Sequence, residues 1–265
     1  MADAIPTYPN FAGKHAHDSF ITPADVVAYR RRTGLAEEAP APAGIVLCYQ
    51  RWLYEHVLAA EGLERPPGRG PRGAVTLART GHRVGVVGGF GIGAPAAAMA
   101  LEDHAALGTT RFLSIGTAGS LQADCPVGHT VLCDRAIRDE GVSHHYLAPG
   151  RHARPSPALT VELTGELQAR DVAFAEGCSW TIDTPYRETV EEARHYQAEG
   201  VLCVEMEAAA LFAVGEYRGI EVAAAFVISD SLADLVWDPQ FHSDATVSAL
   251  HALYEAAVTV LERGA

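Results

Sequence analysis

Two short stretches place acidic side chains where a packed core would resist them: Val204-Glu205-Met206-Glu207-Ala208-Ala209, and Ile228-Ser229-Asp230-Ser231 at the end of a strongly hydrophobic run. A carboxylate beside buried apolar residues needs a reason, because an unpaired buried charge is costly. An acid just past a buried strand is a catalytic candidate; the plainer readings are a cap on the next segment for Asp230, and one solvated and one salt-bridged glutamate for Glu205 and Glu207. His15 and His17 stand in a Gly-Lys-His-Ala-His-Asp run, and His144-His145 form a pair with no third spaced ligand, a pattern of hydrogen-bonding or surface histidines rather than of a metal site. Three arginines, Arg65, Arg69 and Arg72, lie in a Pro- and Gly-rich stretch over 64–73 that reads as a connector.

These residues must be held by elements that the pattern makes legible. Gly44 to Cys48 reads as a short buried strand and Trp52 to Ala60 as the helix after it; Ala74 to Ala78 and Arg83 to Val87 read as a β pair turned at Thr80-Gly81-His82. Gly88-Gly89-Phe90-Gly91-Ile92-Gly93-Ala94-Pro95 then opens an Ala-rich helix to about Leu107, and a strand over Arg111 to Ile115 ends in Gly116-Thr117-Ala118-Gly119-Ser120. Strand, glycine turn, helix and strand predict a mostly parallel sheet with helices on both faces, whose ligands sit at the carboxyl ends of the strands. Neither glycine run is a dinucleotide fingerprint or a phosphate-binding loop.

Further on, Val127 to Arg135 is a predicted strand, Pro157 to Asp171 a helix, Val172 to Ala175 a strand, Cys178 to Pro185 a loop and Glu188 to Ala198 a charged helix. The run from Glu205 to Phe212 predicts a helix of strong formers, Glu221 to Ile228 a buried strand, and Leu250, Leu253, Ala257, Val260 and Leu261 an amphipathic C-terminal helix. Thr22-Pro23-Ala24-Asp25 predicts an N-cap that opens a helix to about Arg32, behind an N-terminal arm of residues 1–20.

The chain has 265 residues, of which 48% are hydrophobic, a composition suited to a large globular core. Twenty Lys and Arg against 33 Asp and Glu give a net charge of -13, which disfavours nucleic acid but not a small anion met by a few local arginines. The five cysteines lack paired spacing and have apolar flanks, so buried thiols in a reducing compartment are expected. With a polar N-terminus and no membrane-length apolar run, the expectation is a cytoplasmic protein without membrane contact.

Taken in order and spacing, Gly89-Phe90-Gly91-Ile92-Gly93-Ala94-Pro95, Ile115-Gly116-Thr117-Ala118-Gly119 and Val204-Glu205-Met206-Glu207-Ala208-Ala209 resemble the nucleoside phosphorylase superfamily of uridine phosphorylase, bacterial purine nucleoside phosphorylase and methylthioadenosine nucleosidase. The resemblance implies one three-layer α/β/α domain over residues 1–265, with a central mixed, partly barrel-like sheet. It implies that Glu207 accepts hydrogen bonds from the ribose 2′ and 3′ hydroxyls while favouring positive charge on the sugar, that Met206 lies against the sugar, and that Thr117 sits near sugar and phosphate, with Gly91 in the phosphate-side glycine turn. Asp230 resembles the aspartate that protonates or hydrogen-bonds purine N7. His17, or His15 beside it, resembles the histidine lent to a neighbouring subunit's 5′ hydroxyl, which implies a homo-oligomer, a dimer or a trimer of dimers. The 178–190 segment lacks the glutamine of the uridine-acting members, which favours purine-type bases; Trp180, Ile182 and Tyr186 are the residues expected to pack on the base.

Two departures bear on the nucleophile. Phosphorolytic members carry Gly-Asp-Pro-x-Arg after the first strand, where this chain has Cys48-Tyr49-Gln50-Arg51-Trp52, and an arginine where this chain has Ser114. Arg51 and Arg72 are the candidates to replace that charge and hold inorganic phosphate as co-substrate. If water attacks instead, Glu205 and Glu207 are the candidates to position it. No metal or organic cofactor is implied. The expectation is purine nucleoside phosphorolysis, of a kind that serves purine salvage, with hydrolysis as the alternative and a non-catalytic nucleoside-binding protein as the third reading.

Overall fold

The computed structural model describes residues 8–11, 13–34, 40–63 and 74–264. Ten strands, β1 (Gly44–Cys48), β2 (Val75–Thr76), β3 (Val84–Gly88), β4 (Arg111–Ser120), β5 (Thr130–Asp139), β6 (His152–Ala153), β7 (Phe174–Ile182), β8 (Cys203–Glu205), β9 (Glu221–Ser231) and β10 (Asp238–Pro239), form a single mixed sheet. Five of them close on themselves. β4 pairs with β9, β9 with β5, β5 with β7, β7 with β8, and β8 returns antiparallel to β4. Closure leaves these strands without free edges. The sheet continues outward from β4 through parallel β1 and β3 to the antiparallel edge β2.

Eight α-helices accompany the sheet among the described residues: α1 (Pro23–Arg32), α2 (Arg51–Ala60), α3 (Ala94–Leu107), α4 (Ser143–Tyr146), α5 (Pro157–Ala169), α6 (Val190–Ala198), α7 (Ala208–Arg218) and α8 (Asp244–Arg263). The period-2 alternation of β9 divides its side chains between two cores. Ala223, Ala225 and Val227 join Leu53, Leu163 and Leu253 from α2, α5 and α8. Val222, Ala224, Phe226 and Ile228 join Leu101 and Phe212 from α3 and α7 on the opposite face. This is the expected three-layer arrangement. Thr22 caps α1 in a reciprocal capping box with Asp25, as its sequence predicts.

The structure corrects three element assignments. Cys178 to Ile182 is not a loop: β7 continues to Ile182, paired with β5 on one side and β8 on the other. Gly116 to Ser120 is not a turn after a strand but the second half of β4, where the register against β9 shifts between Ala118 and Gly119. Glu205 does not belong to a helix; it ends β8, and α7 begins only after Glu207. In each case pairing on both sides of a barrel strand outweighs the local preference of glycine, serine or glutamate.

Candidate active site

The carboxyl ends of β4, β8 and β9 meet at a cavity of about 530 Å³. Met206 and Glu207 reach it from the β8–α7 junction, Thr117, Ala118 and Gly119 from β4, and Ser229 and Asp230 from β9. Tyr49 and Gln50 enter after β1, Pro185, Tyr186 and Glu188 from the segment before α6, and Trp237 and Phe241 from the segment before α8.

The two glutamates of the sequence motif have different surroundings. Glu205 is buried and serves α7: one oxygen accepts the backbone N–H of Glu207 and of Ala208, each at 2.7 Å, and the other accepts the Thr181 hydroxyl and, at 3.1 Å, the Ser179 hydroxyl. These two amides are donors that a helix start otherwise leaves orphaned. Burial still holds the Glu205 carboxyl above the ordinary glutamate range, against the pull of these donors. Glu207, 8% exposed, accepts the Gly93 N–H at 2.5 Å and otherwise faces the cavity. Its carboxyl is pushed up to about 8, first by burial and then by the charge of Glu205; the Gly93 and Met206 amides oppose the shift. Gly93 makes its contact with φ +91°, a conformation that side-chain-bearing residues rarely adopt.

Asp230 lies across the cavity. Its Oδ1 accepts the Ser229 hydroxyl at 2.7 Å and its Oδ2 the Trp237 indole N–H at 3.0 Å. The carboxylate packs so closely on β4 that a Cβ at Gly119 would stand 3.0 Å from Oδ2, so glycine at this position leaves room for it. Glu188, half-buried at the same end of the cavity, has its carboxyl raised to about 7, first by burial and then by the charges of Asp230 and Glu192.

Beneath Thr117 the floor is neutral. The Tyr49 hydroxyl and Ser114 hydroxyl are hydrogen-bonded at 2.9 Å, and Gln50 Nε2 donates to Thr117 Oγ1 at 3.0 Å. The Tyr49 ring backs onto Gly116, where a Cβ would meet it at 3.0 Å. Burial pushes the Tyr49 hydroxyl well above its ordinary range, and the Glu207 charge adds to the shift.

The structure thus brings Thr117, Met206, Glu207 and Asp230 together around one cavity, with Glu205 behind Glu207. Tyr186, 99% exposed, stands at its rim. Trp180 and Ile182, expected to pack on a base, do not line this cavity. As β7 residues they lie in the core against Cys178 and Val204, and the Trp180 indole donates to Asp139 at 2.9 Å. Trp237 and Phe241, whose rings lie 6.2 Å apart and which the sequence did not single out, line the cavity instead. The available signal was an aromatic-bearing Leu235-Val236-Trp237 stretch seven residues beyond the motif aspartate. Arg51 is not in the site either. As the first residue of α2 it points outward, its side chain 79% exposed and paired with Glu55 one turn on. The chain enters the cavity one position earlier, through Tyr49 and Gln50. Arg72 lies outside the described residues. Gly91 sits in the turn between β3 and α3 with φ +104° and does not line the cavity. Among the described residues, no arginine, lysine or histidine lines it.

His15 and His17 line a different cavity, of about 630 Å³, with Phe20, Ile21, Met99 and Tyr217. His145 accepts from or donates to the Tyr8 hydroxyl at 2.8 Å and lies 2.7 Å from Lys14 Nζ, while His144 Nε2 bonds the Arg138 carbonyl at 3.0 Å, so this pair is engaged in hydrogen bonds. All five cysteines are buried free thiols. No helix among the described residues is long and apolar enough to cross a membrane.

A model of the phosphorylase superfamily matches residues 41–261. Over 142 residues the chain is 34% identical to a guanosine phosphorylase of Halorubrum lacusprofundi, covering 54% of this chain and 59% of that protein. Over 150 residues it is 29% identical to a uridine phosphorylase of Treponema pallidum, covering 52% of this chain and 58% of that one. The chain therefore aligns with somewhat over half the length of these relatives. Among solved structures, a purine nucleoside phosphorylase from Toxoplasma gondii in complex with immucillin-H superposes with a TM-score of 0.72 at 18% identity, covering 84% of this chain and 90% of that one. A uridine phosphorylase from Vibrio fischeri superposes with a TM-score of 0.69 at 23% identity, covering 86% and 93%. The fold is that of these structures, and by the match over residues 41–261 the chain belongs to the phosphorylase superfamily.

Proposed function

We propose that this cavity cleaves the N-glycosidic bond of a nucleoside, a purine-type one, and transfers the sugar to inorganic phosphate. The observation that carries the reading is Glu207, a carboxyl with one side tied to Gly93 and the other turned into a cavity between Met206 and Thr117. An acceptor there binds both ribose hydroxyls and, once ionised, opposes the positive charge that grows on the sugar as the bond breaks. Met206 fills the apolar sugar face, and Asp230, with Glu188 near it, faces the leaving base. Carboxyl groups at that end suit a purine, whose N7 takes a hydrogen bond or a proton, whereas uracil and thymine offer no ring nitrogen to accept one. The superfamily match and the names of the relatives support phosphate as acceptor, near Thr117 and the Gly91 turn. Arg72 is the remaining arginine from the sequence reading for that anion. An oligomer, dimer or trimer of dimers, would let His17 or His15 of one copy reach the sugar 5′ end in another.

A second reading has an observation of its own. The Tyr49–Ser114 and Gln50–Thr117 pairs put neutral groups under the sugar, a floor that suits water as the nucleophile. Product analysis on purine and pyrimidine nucleosides with and without phosphate separates the two. Sugar 1-phosphate formed only with phosphate supports phosphorolysis; free sugar at an undiminished rate without phosphate establishes the hydrolase; tight binding without turnover rejects both.

A further inference from the structure

We propose that Glu188, rather than Asp230, carries the proton delivered to the leaving base, and that Asp230 acts beside it as a fixed acceptor. This rests on the nucleoside-cleaving reading above. Asp230 already receives one donor on each oxygen, the Ser229 hydroxyl and the Trp237 indole, so both of its oxygens are engaged as acceptors within the protein. Glu188 lines the same end of the cavity, and its carboxyl makes no hydrogen bond or ion pair with any described residue. Its backbone is fixed, since its N–H donates to the Pro185 carbonyl at 3.3 Å and the next residue, Thr189, caps α6 in a capping box with Glu192. A half-buried carboxyl held on a fixed backbone without an internal partner is free to hydrogen-bond a ligand.

The charged neighbourhood favours a proton on Glu188. Asp230 faces it from β9 and Glu192 from α6, both raising its affinity for protons. Glu205, Glu207 and Tyr49 line the cavity further in, and Tyr186 and Arg187 belong to its own segment. Burial first and then these two charges raise the Glu188 carboxyl to about 7, so it can hold a proton near neutral pH, the range in which a general acid donates and recovers a proton most readily. In the step, the C1′–N9 pair of electrons moves onto the base, the Glu188 proton passes to N7, and a neutral purine leaves. The acceptor oxygen bonds C1′ and releases one proton to solvent, and Glu188 takes one back.

The sign of the pH dependence follows. Glu188 must be protonated, a requirement that by itself lowers activity as pH rises through about 7. Glu207 must be ionised, a requirement that by itself raises activity toward about 8. Together they give a bell with a narrow top near pH 7.5, on the order of half a unit from either value. The experiment is the pH profile of kcat/KM for wild type, Glu188→Gln and Glu188→Asp on a purine nucleoside and on its N7-methylated analogue, whose base leaves without a proton. Glu188→Gln is expected to lose on the order of a hundredfold on the purine nucleoside. It is expected to lose the descending limb as well, to stay within about threefold of wild type on the N7-methylated substrate, and to keep its melting temperature; Glu188→Asp restores the limb. A retained descending limb in Glu188→Gln, or equal losses on both substrates, overturns the role of Glu188 and leaves the nucleoside reading standing. A wild type that cleaves neither substrate overturns that reading and this inference with it.

Discussion

The two ends of the cavity are built differently. The sugar end is made of strand ends and one helix start: Thr117 on β4, Met206 and Glu207 between β8 and α7, and the Gly93 amide at the entry of α3. The base end is made of two connecting segments, with Glu188 and Tyr186 from one and Trp237 and Phe241 from the other, and its aromatics stay open, Tyr186 at 99% and Trp237 at 59% exposure. A barrel strand is fixed by neighbours on both sides, so Thr117 on β4 and the Met206–Glu207 junction that follows β8, the groups proposed to meet the sugar, are tied to the core. Apart from Asp230 on β9, the groups proposed to face the base sit on connecting segments, that of Trp237 joined to β9 through β10, and substitutions there are expected to alter which base fits more than they alter the fold.

The largest effect is expected at Glu207. Glu207→Ala should lower kcat/KM on the order of a thousandfold, with near-native circular dichroism and melting temperature. Activity retained within tenfold would move the sugar contact elsewhere. Trp237→Phe sharpens the contrast by removing only the indole donor to Asp230. The loss of one hydrogen bond should cost about tenfold in kcat/KM for a purine nucleoside, and a rate unchanged within twofold would show that the base end is not organised by that bond. The smallest effect is expected at Arg51, which faces solvent beside Glu55. Arg51→Ala should leave the KM for phosphate within twofold of wild type, and a tenfold rise would return Arg51 to the anion site.

Much of the sugar end was legible in the chain. Glu205-Met206-Glu207 announces itself because acids among Val204, Ala208 and Ala209 contradict the burial their neighbours demand. What the motif does not reveal is the division of labour inside it. Glu205 is turned to two amides and two hydroxyls of the protein, and Glu207 to the cavity, because β8 ends and α7 begins between them. The base end was misread for a related reason. Cys178 to Ile182 carries serine and threonine, which suggest a loop, yet the parallel pairings of β7 with β5 and β8 bury those residues and Trp180 with them.

Local order along the chain determined the alternation of strands and helices, the three-layer class, the cap of α1 and the acids that matter, because periodicity and capping are read within a few residues. Only the tertiary structure decided that five strands close into a ring, that Tyr49 and Gln50 rather than Arg51 face the cavity, and that Glu188 and Asp230 share one end of it. The physical reason is separation: these outcomes depend on pairings between residues tens to more than a hundred positions apart, whose energies come from burial and register that no short window contains.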